Sequence, residues 1–63
     1  MTHVMEWEYQ IETIRAPHGD AAQTWLERLN DLGVQGWELV TDRWGDYGTT
    51  ERTFTGTFKR PKA

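Results

Sequence analysis

The chain contains neither cysteine nor serine, and those two absences remove a large part of the chemistry open to a protein. Without cysteine there is no disulfide framework, no thiolate metal site and no thiol nucleophile, and the composition fits a reducing compartment. Without serine, a hydroxyl nucleophile would have to come from one of nine threonines, none of which has a recognisable base beside it in the sequence. His3 and His18 are too far apart for a metal-ligand pair. No apolar run approaches the ~20 residues that cross a bilayer, and Met1-Thr2-His3 does not open a leader of basic residues followed by an apolar stretch. A soluble, cytoplasmic protein without membrane contact is therefore expected, with no catalytic, metal or cofactor site of its own. An excess of positive charge is missing too. The net charge is -3, and the first half carries most of the acid, which disfavours a general nucleic-acid role.

Small size sets a further bound. A chain of 63 residues is one domain that buries only ~60% of its unfolded surface, so its stability is marginal without help. Disulfides are excluded, which leaves oligomerisation as the device at hand. Four tryptophans, two tyrosines and two phenylalanines supply more apolar area than one helix-on-sheet core needs, and part of that area is expected at an interface.

The pattern along the chain predicts four elements in one α+β domain. From Val4 to Ile14 the residues Met5, Trp7, Tyr9 and Ile11 alternate with Glu6, Glu8, Gln10 and Glu12, the period of a strand with one wet face. The apolar set is expected to face the core. Pro17-His18-Gly19 reads as a break, with Asp20 as N-cap of a helix over about Ala21 to Leu32 and Gln23 in the capping-box position. Ala22, Trp25, Leu26, Leu29 and Leu32 form the expected apolar stripe. Gly33 then falls where the stripe stops. It is expected to take the left-handed conformation at C′, with Val34 donating to the Leu29 carbonyl in a Schellman ending. A phosphate-cradling role for Gly33 and Gly36 is disfavoured, because such loops lead into a helix whereas this one leaves a helix for a strand.

A second strand is expected from about Trp37 to Thr41 or Arg43, a turn at Gly45-Asp46-Tyr47-Gly48, and a third strand from about Arg52 to Arg60 with Phe54, Gly56 and Phe58 inward and Thr53, Thr55, Thr57 and Lys59 outward. The hairpin return inserted between the first two strands gives the order 1-3-2 and an antiparallel centre. Placing the second strand directly beside the first is the alternative.

The segments Trp7-Glu8-Tyr9, Leu29-Asn30 with Leu32-Gly33, Gly36-Trp37-Glu38-Leu39-Val40 and Phe58-Lys59-Arg60-Pro61 resemble a family of small bacterial domains of unknown function. The resemblance covers both ends and the centre. Residues 15–24 and 42–53 carry no such pattern, and Gln35 stands where the family more often has an acid. A β-α-β-β fold is implied, and no catalytic residue comes with it.

Candidate sites are few. Glu6, Glu8 and Glu12 share a strand face and could be drawn as an acid cluster, but a solvated face balanced by Lys59 accounts for them more simply. His18 reads as an exposed loop histidine. Trp44 and Tyr47 are surplus to the core; they either close over the sheet end and decorate the turn or form a contact patch for a protein. Trp44, Tyr47 and Val40 with Arg52, Lys59 and Arg60 are the expected interaction residues. A self-associating, non-enzymatic module, most simply a homodimer, is the leading expectation, with another protein as the alternative partner. Next comes a weak nucleic-acid or phosphate-ligand binder through the basic C-terminal strand and tail. An enzyme or small-molecule site at a subunit interface, using His18 and the glutamates, ranks last.

Overall fold

From Arg52 to Arg60 the third strand alternates threonine or lysine with phenylalanine, glycine or arginine, so its pleat separates a β-branched polar side from an aromatic one. That strand is the centre of the fold. A computed structural model describes residues 4–62 and gives the order β1 (Trp7–Pro17), α1 (His18–Val34), β2 (Glu38–Tyr47) and β3 (Glu51–Pro61). The sheet order is β1-β3-β2, antiparallel at both junctions, as the pattern predicted. His3 lies outside the described residues.

Helix α1 covers the side bearing Phe54, Gly56 and Phe58. Trp25, 4% exposed, stacks on Phe54 with centroids 5.7 Å apart and meets Phe58 edge-on at 6.0 Å. Its indole Nε1 donates to Asp42 Oδ2 at 3.1 Å, which satisfies the one polar atom this ring takes into the core. Gly56 is needed beneath it. A Cβ there would lie 2.9 Å from Trp25 Cζ2 and 3.0 Å from Leu39 Cδ1. Leu32 and the fully buried Phe58 complete the core, with Ile14, Leu29, Trp37 and Phe54 partly buried against it.

Strand β1 corrects the expected register. Its partners run Gln10↔Phe58, Glu12↔Gly56 and Ile14↔Phe54, and opposed residues share a face. The even residues therefore lie under the helix, and Trp7, Tyr9 and Ile11 lie on the other side. Glu12 confirms the side by pairing with Arg28 of α1 at 2.8 Å. Expecting Trp7 and Tyr9 in the core was wrong because an alternating strand states that it has an apolar face, and does not state which layer covers it.

The helix boundaries also move. No loop separates β1 from α1: Pro17 is the N-cap, without a side-chain cap, and Asp20 sits inside the first turn, where its charge suits the dipole. The His18 amide is taken by the Thr50 carbonyl at 3.0 Å. Gly33 does not end the helix. The helix runs to Val34, and Gly36, with φ of 90°, occupies C′ one turn later. Gly36 N donates to Gly33 O and Trp37 N to Leu32 O, both at 3.0 Å, the two bonds of a Schellman ending. The motif is the expected one on a different glycine. On the helix itself Ala21, Trp25 and Leu32 are buried, whereas Ala22 and Leu26, expected on the stripe, are exposed. Gly45, Asp46 and Tyr47 belong to β2 and not to the turn, and β2 carries a bulge between Leu39 and Thr41.

Candidate functional site

Among the described residues, no second layer lies above the side chains on the face away from α1. β3 contributes Thr53, Thr55, Thr57 and Lys59, opposed by Arg15, Thr13, Ile11 and Tyr9 of β1 and by Gly45, Arg43, Thr41 and Glu38 of β2. Tyr9 is 62% and Ile11 69% exposed, and Thr13 and Thr55 share a hydroxyl hydrogen bond of 3.1 Å. Between these strands lies an open depression of about 370 Å³, lined by Ile11, Thr41, Asp42, Arg43, Thr55 and Thr57. The open face thus combines an apolar row at one edge with a threonine-lined hollow at the centre. Solvated antiparallel faces ordinarily alternate polar-out, and β1 does the reverse.

The aromatic residues outside the core have a common arrangement. Lys59 Nζ lies 4.3 Å from the Trp7 ring centroid and the Arg60 guanidinium 4.3 Å from that of Trp37. Arg52 lies 4.1 Å over Trp44 and Arg15 4.4 Å over Tyr47. Contacts of this kind are worth ~0.5–1 kcal/mol each where exposed. Among the described residues, Tyr9 alone of the eight aromatic side chains has neither a core partner nor a cation.

The six expected interaction residues are divided by the sheet. Tyr47 and Lys59 share the open face, Val40 sits unpaired in the β2 bulge, and Trp44, Arg52 and Arg60 lie on the helix side. Trp44 and Tyr47 are both exposed, yet they project to opposite sides and form no common patch. The basic residues are engaged. Arg60 pairs with Glu8 at 2.5 Å and donates to the Gln35 carbonyl at 3.1 Å, and Arg52 approaches Asp46 at 3.5 Å. Tyr9 and Ile11 were missed because both were assigned to the core. The signal for them lay in Ile14 and Ala16, apolar residues of the opposite parity next to the helix.

Among the described residues no group of three or more His, Asp or Glu side chains could hold a metal ion. The glutamates are spread out: Glu12 goes to Arg28 and Glu8 to Arg60, not to Lys59 as expected. His18 Nε2 lies 3.0 Å from the Glu51 carbonyl and 3.2 Å from Asp46 Oδ1, a tether from the helix start to the β2–β3 hairpin. No helix of the described residues is long and apolar enough to cross a membrane. No family model matches the chain, and neither a curated protein nor a solved structure matches it.

Proposed function

We propose that this chain is a small self-associating module, acting through protein contacts and not through chemistry of its own, and that a second copy covers the open sheet face. The observation that carries the reading is the orientation of β1: its apolar row, Tyr9 and Ile11 above all, points away from α1. Burying such a row is worth ~25 cal/mol per Å² of apolar surface. The area agrees. The accessible surface is 4874 Å², against about 4200 Å² for a compact monomer of this mass. That excess of about 670 Å² is near the ~800 Å² each partner gives to a standard interface.

A two-fold homodimer is the simplest closed arrangement. A cytoplasmic protein of the small bacterial domain family suggested by Gly36-Trp37-Glu38-Leu39-Val40 is consistent with it. The rival phosphate-binding reading has less support, since Arg52, Lys59 and Arg60 are each held against an aromatic ring. Sedimentation equilibrium over a wide concentration range tests the proposal. The expected result is a dimer of the 7.4 kDa chain, and a single monomeric species at the highest concentration would remove it.

A further inference from the structure

Resting on that dimer, we infer that Tyr9 of each copy is covered by Arg43 of the other, so that the interface is a reciprocal pair of cation–aromatic contacts about a two-fold axis through Thr57. Two leftovers on one face lead here. Among the described residues Tyr9 is the one aromatic side chain with neither a core partner nor a cation. Arg43 is the complementary case: among the described residues it is the one cation of the three strands with neither an ion pair nor a ring partner, the others being Arg15, Arg52, Lys59 and Arg60.

The two cannot meet within one chain. Tyr9 lies opposite Lys59 on one edge strand, and Arg43 lies opposite Thr55 on the other. Four residues along β3 and two strand spacings separate them, roughly 13 Å and 10 Å at right angles. Their midpoint is Thr57 of the central strand. A two-fold axis in the interface plane, through Thr57 and perpendicular to the Tyr9–Arg43 line, sets Tyr9 over Arg43 of the second copy. By symmetry it also sets Arg43 over that copy's Tyr9. The same operation carries Ile11 over Thr55 and Thr57 of the second copy, into the hollow they line. One choice of axis thus uses the unpaired ring, the unpaired cation, the exposed isoleucine and the depression, and the two sheets cross closer to orthogonal than aligned.

The absence of native cysteine makes the geometry directly testable. Tyr9→Cys and Arg43→Cys both change exposed side chains, and circular dichroism checks that each variant folds. In this arrangement position 9 faces position 43 across packed sheets about 10 Å apart, while like positions of the two copies lie well beyond that distance. A bis-maleimide with a span of about 10 Å should therefore cross-link a mixture of the two variants at high concentration and leave each variant alone largely uncross-linked. In the otherwise native chain, Arg43→Ala should weaken dimerisation about ten-fold, because two contacts are lost per dimer. If the native chain dimerises but the mixture does not cross-link, or Tyr9→Cys links to itself equally well, the pairing is wrong and the dimer reading stands. If the native chain is monomeric, both fall.

Discussion

Three glycines do different work, and each makes a separate prediction. Gly33 lies inside α1 with open space where a Cβ would go, whereas Gly36 holds φ of 90°. Gly33→Ala is therefore expected to leave stability unchanged or raise it by up to ~1 kcal/mol, as alanine for glycine does in a helix interior. Gly36→Ala should lower it by about 1 kcal/mol. Urea midpoints measured side by side check the pair, and a loss at Gly33 without one at Gly36 would contradict the observed helix ending. Gly56→Ala should be worse. Its Cβ would meet Trp25, Leu39 and Phe58 at 2.9–3.1 Å, and overpacking of that kind costs ~1–3 kcal/mol, readable as a lower midpoint with altered near-ultraviolet dichroism from Trp25. The sequence shows two glycines three residues apart, either of which could stop the helix. The choice falls to the apolar contact of the motif: Trp37 at C″ with Leu32 at C3 buries far more surface than Val34 with Leu29 would.

At the scale of elements, β3 was legible and β1 only half so. Phenylalanine and threonine on alternate positions of β3 name the covered side without ambiguity, and Trp25 and Leu32 follow from the helical period. Strand β1 carries apolar residues of both parities, odd through Ile11 and even at Ile14 and Ala16. The long odd run dominates the pattern, but only the even residues meet the helix, which starts directly after Pro17. A comparison of two isoleucines tests the assignment. Ile14→Ala should cost about 2 kcal/mol through lost packing against the core. Ile11→Ala should stay within ~0.5 kcal/mol in protein diluted until no self-association is detected. The reverse order in denaturant midpoints would return the odd residues to the core. The exposed partners of the sheet were not legible either, because which carboxylate reaches which arginine depends on strand register and helix placement together: Glu12 finds Arg28 and Glu8 finds Arg60.

For the whole molecule, one helix over a long three-stranded sheet gives a plate of 55 × 19 × 11 Å with a Cα radius of gyration of 14.4 Å. A compact chain of this length would have about 10–11 Å. If a second copy covers the open face, folding and association are linked by mass action, so the thermal midpoint should rise with protein concentration. Ile11→Asp, which puts a charge into that face, should abolish the rise while leaving the dilute midpoint nearly unchanged. A native midpoint independent of concentration would speak against the linkage.

The four tryptophans occupy four unlike surroundings, and this makes the protein its own optical probe. Trp25 is sealed in the core with its indole on Asp42. Trp37 and Trp44 lie on the helix side beneath arginines, and Trp7 alone belongs to the open face, under Lys59. Indole emission moves to longer wavelength as water reaches the ring, so loss of the core is reported by Trp25 and coverage of the open face by Trp7. A variant retaining only Trp7 and Trp25 would register assembly and unfolding as two separable signals, with no dye attached.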